Sequence, residues 1–284
     1  SSLGCCCLLS TLTCTVLAAP QLEPIGLNYH ERVGIPEATR IKATEEAIDF
    51  DGARIVGGAF AGLGQFPHLG GLVITLHSGL TSVCGSSLLT NTRLVTAAHC
   101  WFDGTNIARE LTVVLGSVWL FWGGVRVTTN QVDIHANYSP ATLNNDVAII
   151  KIVHVAFTAN VNRIAFATGT DQYAGLIATA AGFGRNAENA PITQAQAKMH
   201  VSMPVITNLE CARVFGTAVV IPSTICTDTA GGRSICGGDS GGPLAFEGKL
   251  IGIATFVASA GCTVGWPAGF ARVTSFAPWI NQRL

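Results

Sequence analysis

Downstream of residue 55 the apolar positions fall in short runs rich in Val, Ile, Leu and Phe, separated by Gly, Asn, Pro and Ser. Such runs predict strands, because β-branched and aromatic side chains fit a pleated surface and the intervening residues supply turns. The strand candidates are 71–76, 83–89, 111–115, 125–132, 147–153, 176–181, 199–205, 250–256 and 270–273. Many short strands at regular spacing predict an all-β sandwich or barrel. The tail 275–284 reads differently. Ser275 is an N-cap candidate and Trp279-Ile280 follow it, which predicts a short C-terminal helix. No repeat of 20–50 residues interrupts the pattern.

Two segments precede this pattern. Residues 1–19 carry no charge and form a short apolar core ending in small residues. That is the form of a secretory signal peptide cut near Ala18 or Ala19, truncated at its start because it lacks Met and a basic n-region. It is short and broken by Ser and Thr, which argues against a membrane anchor. Residues 20–54 hold seven acids and no Cys, and read as an acidic leader that need not join the core.

Composition narrows the class. Only 12% of the 284 residues are charged and 49% are hydrophobic, so the chain is not intrinsically disordered. A net charge of -1 gives no general attraction to nucleic acid or anionic lipid. Four of the ten Cys lie in 1–19 and would leave with the signal. Cys84, Cys100, Cys211, Cys226, Cys236 and Cys262 remain. Six Cys in an exported β-rich chain predict three disulfides, among 15 possible connectivities. Zinc is the competing reading, and it is disfavoured because these six form no C-x-x-C pair.

Three motifs carry chemistry. They are Leu94-Val95-Thr96-Ala97-Ala98-His99-Cys100, Asn144-Asn145-Asp146-Val147-Ala148, and Cys236-Gly237-Gly238-Asp239-Ser240-Gly241-Gly242-Pro243. A lone His, an Asp before an apolar run or a Gly-rich turn means little by itself. Together, in this order and with Ile55-Val56-Gly57-Gly58 ahead of them, they resemble the chymotrypsin/trypsin family of serine proteases across 55–284. A serine hydroxyl needs a base near neutral pH, and an imidazole can take and return its proton. The resemblance implies Ser240 as nucleophile, His99 as base and Asp146 as its orienting carboxylate. It implies Gly238 and Ser240 as backbone donors of an oxyanion hole. It also implies two six-stranded antiparallel β-barrels, with the site in the cleft between them.

The resemblance further implies a zymogen cut by a trypsin-like protease at Arg54-Ile55, the new Ile55 ammonium turning inward to pair with Asp239. Ser234 then sits at the base of the primary pocket, with Val257 and Ala268 on its walls. A neutral base disfavours Lys and Arg substrates. Ser234 and Ala268 suit a deep apolar pocket for Phe, Tyr, Leu or Met. Val257 would narrow it towards small apolar side chains, as in elastases. Thr255 has a hydroxyl that would support Asp146. No calcium, other metal or cofactor is expected, since Asp103 and Glu110 stand apart and 116–124 offers no carboxylate. Asn137-Tyr138-Ser139 is the one glycosylation sequon.

From 55 onward there are three Lys against nine Arg, which fits an alkaline lumen because Arg stays charged far above the Lys range. With the 265–273 stretch this resembles digestive chymotrypsins of moth larvae. The expected protein is a secreted, monomeric serine endopeptidase of a gut lumen. Its expected partners are protein and peptide substrates, a trypsin-like activator and protein protease inhibitors. A catalytically dead homologue or a regulatory protease with one target is the alternative.

Overall fold

The computed structural model describes residues 25–47, 61–185 and 198–284. The expected signal segment and the Arg54-Ile55 bond lie outside the described residues.

The first sheet contains β1 (Leu69–Leu76), β2 (Thr81–Thr90), β3 (Arg93–Thr96), β4 (Ala108–Leu115), β5 (Val125–Thr129), β6 (Val132–Ile134) and β7 (Ala148–Lys151). Its order is β5-β4-β1-β2-β3-β7-β6, with antiparallel pairing throughout. β5 and β6 are separated by only two residues yet occupy opposite edges, so the sheet must roll up and close. The expected single strand 125–132 is thus one strand bent across the seam. At the bend the Thr129 hydroxyl donates to the Lys151 carbonyl (2.9 Å), and the Lys151 N–H donates to Gln131 (2.9 Å).

The second sheet contains β8 (Ala165–Phe166), β9 (Ile177–Gly182), β10 (Met199–Ile206), β11 (Thr224–Thr227), β12 (Pro243–Phe246), β13 (Lys249–Phe256) and β14 (Ala268–Arg272). β12 pairs with both β9 and β13, which closes a ring of six, and β8 is an added parallel edge on β13. With β5 and β6 counted as one strand, each barrel has the expected six strands. Gly and Ala are frequent where strands press together. A Cβ on Gly71 would strike Leu120 and Phe183.

Each barrel has an apolar interior. Leu72, Ile74, Leu88, Leu94, Leu111 and Ile149 fill the first, and Met203, Ile225, Leu244, Ile251 and Phe270 fill the second. Each such side chain contributes roughly 1.5–3 kcal/mol by leaving water. Two helices complete the protease body. α2 (Asn208–Phe215) was not expected from the sequence; it opens on a capping box, in which Thr207 accepts from Glu210 N–H and Glu210 caps Thr207. α3 (Val273–Asn281) starts two residues before the expected cap, so Ser275 lies inside it. Its Phe276 and Ile280 join the first barrel's core, which fastens the two barrels together. Disulfides join Cys84 to Cys100, Cys211 to Cys226 and Cys236 to Cys262, each pairing sequence neighbours. No helix among the described residues is long and apolar enough to cross a membrane.

The leader, which by composition need not join the core, packs onto it. Ile25 is buried and bridges Ala258, and a π-helical turn His30–Gly34 runs into α1 (Ile35–Glu46). Ala38 and Ile41 pack with Leu69, Val83, Val114, Leu120 and Phe183. The reason is spacing: residues 37, 38, 41, 44 and 45 form one helical face, and all five are buried. Two of the segment's acids, Glu37 and Glu45, are satisfied there. Glu37 accepts from Arg40 (2.8 Å) and from Arg185, while Glu45 accepts the N–H groups of Leu120 (2.6 Å) and Phe121 (2.7 Å).

Candidate active site

Strand register brings His99 and Asp146 together. β3 pairs antiparallel with β7, Thr96 opposite Ala148. His99, three residues past Thr96, and Asp146, two before Ala148, therefore emerge at the same barrel rim. His99 occupies a short 3-10 turn, Ala98–Cys100, anchored by the Cys84–Cys100 disulfide. One Asp146 carboxylate oxygen accepts the His99 backbone N–H (2.8 Å), and the other meets His99 Nδ1 (2.7 Å). Both residues are buried, at 1% and 0% exposure. An ionised carboxylate only accepts, so Nδ1 carries the proton and Nε2 is left as the basic nitrogen. Nε2 has no hydrogen-bond partner among the described residues.

Ser240 sits in the turn leading into β12, and both barrels hold that turn. Gly85 N–H on β2 donates to the Ser240 carbonyl (2.6 Å), and Gly241 N–H donates to Ala254 on β13 (2.7 Å). Gly238 has φ +97° and lies so close to Gly184 that a Cβ would come within 2.9 Å of its Cα. A side chain there would therefore distort the turn. The neighbouring Asp239 carboxylate accepts from Gly184 N–H (2.8 Å) and Cys236 N–H (2.9 Å). Burial pushes its carboxyl up to about 6, against the downward pull of those two N–H groups.

A cleft opens beside Ser240, lined by Cys236, Gly237, Val257 and Ala258 from the second barrel. Ser234 borders the adjoining cavity with Asp239, and its hydroxyl is buried without a partner among the described residues. Ala268 is fully buried on β14, where it pairs with Thr227. The Thr255 hydroxyl does not support Asp146 as expected. It donates to the Ile253 carbonyl (3.1 Å), two residues back on its own strand, while His99 engages both Asp146 oxygens. Among the described residues the one cluster of metal-ligating types is Cys84, His99 and Cys100, whose two sulfurs are joined as a disulfide.

The leader supplies residues that the motifs did not reveal. Tyr29 stacks edge-on against His99, with ring centroids 4.7 Å apart, and its hydroxyl donates to the Val83 carbonyl (2.8 Å). The same oxygen lies near the Ser240 hydroxyl and the Gly238 N–H. His30 N–H donates to Asp103 (2.8 Å) and its Nδ1 meets the Ser82 hydroxyl (2.8 Å). The helical spacing of 37–45 was the available signal, outweighed by acidic composition.

Comparison with known proteins agrees with this geometry. The family model described as Trypsin matches residues 55–280. A collagenase of Hypoderma lineatum is 39% identical over 234 residues, spanning 81% of this chain and 86% of that protein. Brachyurin of Leptuca pugilator is 36% identical over 233 residues, spanning 81% of this chain and 98% of that protein. A solved HL collagenase structure is 38% identical and superposes with a TM-score of 0.74, over 81% of this chain and 98% of that chain. Fold, site and relatives together define a serine endopeptidase, acting on peptide or protein substrates. The chain belongs to the trypsin family.

Proposed function

We propose that the protein is a secreted digestive zymogen whose cut form hydrolyses peptide bonds after large apolar or aromatic residues. The observation that carries the chemical reading is the grip of Asp146 on His99, which leaves Nε2 as the free basic nitrogen, together with the cleft that Ser240 borders. Ser240 Oγ attacks the scissile carbonyl carbon and its proton passes to His99 Nε2. The C–N bond then breaks, and the same proton goes to the leaving amine. Water repeats the cycle on the acyl-Ser240 ester, and the acid leaves. The N–H groups of Gly238 and Ser240 would hold the oxyanion, each worth about 3–4 kcal/mol of barrier.

Activation fits the electrostatics of Asp239. Keeping its carboxylate ionised above pH 6 costs about 3 kcal/mol relative to an ordinary Asp. A cut at Arg54-Ile55 would create an ammonium able to relieve that cost, and the Ser240 turn would settle around the pair. The signal segment 1–19, a trypsin-like activator, inhibition by protein protease inhibitors, a monomeric state and a gut lumen setting complete the reading. The resemblance to moth digestive chymotrypsins and the Arg-rich composition support the setting.

Specificity rests on Ser234, a neutral buried hydroxyl with no charge to offer Lys or Arg. A second reading, preference for small apolar residues, has its own support in Val257 at the cleft wall. The test is kcat/KM of the cut enzyme on tetrapeptide amides with Phe, Leu, Ala or Arg before the scissile bond. Phe or Leu ahead supports the open pocket, and Ala ahead supports the narrowed one. Absence of organofluorophosphate labelling at Ser240 would overturn the catalytic assignment.

A further inference from the structure

We infer that residues 25–47 are a built-in inhibitor that covers the active cleft and stays docked there after the Arg54-Ile55 bond is cut. The inference rests on the activation reading above and adds a second requirement, departure of the leader.

Three contacts in sequence follow the cleft. Ile25 bridges Ala258 in antiparallel fashion, so the leader enters by adding an extended residue to the second barrel's edge. Tyr29 then packs on His99 and presents its hydroxyl oxygen beside Ser240 and the Gly238 N–H, where a substrate's developing oxyanion would be held. Beyond it, Gly34 presses against Ser82 and α1 lies over β2, fixed by the burial of Ala38 and Ile41 and by the Glu45 bonds to Leu120 and Phe121. The leader thus spans the second barrel, the reacting groups and the first barrel in turn.

The leader resists the enzyme it blocks. Proteolysis needs an extended peptide whose carbonyl faces the nucleophile. At Tyr29 the backbone is already helical, with φ -51° and ψ -46°, and it continues into the π-helical turn. Ser240 therefore meets a phenol, which has no scissile bond. Docking also does not depend on covalent continuity with residue 55. The anchors are Ile25, Tyr29, His30, Ala38, Ile41 and Glu45, all upstream of the cut.

The test uses the full chain cut at Arg54-Ile55 and stripped of its leader, to which a peptide of residues 25–47 is returned. Inhibition competitive with a tetrapeptide amide is expected, and Tyr29→Ala in the peptide should weaken it about 30-fold, the scale of a buried aromatic anchor. Fluorescence anisotropy with the cut Ser240→Ala chain reads binding without turnover, and the same 30-fold difference is expected. An active enzyme that neither binds nor is inhibited by the peptide overturns the inference. So does binding that Tyr29→Ala leaves unchanged. A stripped enzyme that binds the peptide but hydrolyses nothing upholds the inference and instead overturns the endopeptidase reading.

Discussion

The two sides of the active cleft differ in what completes them. On the first barrel, His99 and Asp146 are joined by two hydrogen bonds whose geometry comes from the β3–β7 register and one disulfide, all within 84–151. On the second, the Ser240 turn depends on contributions from elsewhere. Gly85 of the first barrel holds its carbonyl, Asp239 is held by backbone N–H groups, and its hydroxyl lies near a leader tyrosine. The acid–base pair is therefore a product of the fold, whereas the nucleophile side is conditional. The proposed control by cleavage would act on this conditional side.

The largest expected effect falls on the finished side. Asp146→Asn should lower kcat of the cut enzyme about 10⁴-fold, the scale of a mis-set imidazole tautomer, with little change in KM on a peptide amide. Asp239→Asn should separate the two states of the conditional side. The carboxyl is raised to about 6, so its charge costs nothing below the unfolded value near 3.8, and the cost grows as pH rises to 6. At pH 8 the uncut variant should be more stable in urea by up to about 3 kcal/mol. The cut variant should lose at least about 100-fold in kcat/KM, because the new ammonium then lacks its carboxylate. A stabilised cut form with full activity would erase the contrast between the two sides.

Acid should loosen the leader. Burial lowers His30 to about 4 in the docked state, while an exposed His titrates near 6.5. Its neighbours are Asp103, Ser82, Tyr29 and His99. The docked form resists a proton that the released leader accepts, so this contribution is intact above pH 6.5 and lost as pH falls. Binding of the 25–47 peptide should weaken by up to about tenfold per pH unit between 6.5 and 4, and His30→Gln should flatten that slope. The smallest effect belongs to Thr255→Val. Its hydroxyl serves Ile253 rather than Asp146, so kcat should stay within about threefold and stability should fall by about 1 kcal/mol. A large fall in kcat would restore the support of Asp146 first expected of it.

Most of the strands were legible because runs such as 83–89 and 250–256 combine apolar content with clear breakers, while the two-barrel architecture came from the family resemblance. The four-residue strands β3, β11 and β12 were not singled out, since so short a run carries no readable period. The bend between β5 and β6 needs the three-dimensional closure of the sheet to become visible. Flanking motifs nominated His99, Asp146 and Ser240, and the structure joins the first two. Thr255 was misjudged because a hydroxyl at the right place in the chain says nothing of which acceptor it reaches. The leader was misjudged for a related reason. Composition treats Glu37 and Glu45 as solvated charges, but their partners Arg185 and Leu120 lie far along the chain.

Residues 20–54 contain no Cys, so no disulfide would tie them to the rest of the chain after the proposed cut. Before the cut, their effective concentration at the cleft is fixed by the connecting residues, on the order of millimolar for a short linker, whatever the amount of protein present. Afterwards it is set by the surroundings. In a small, crowded compartment a severed segment would rebind, whereas in a large volume it would be diluted away. Proteolysis would thus license the enzyme, and volume would switch it on.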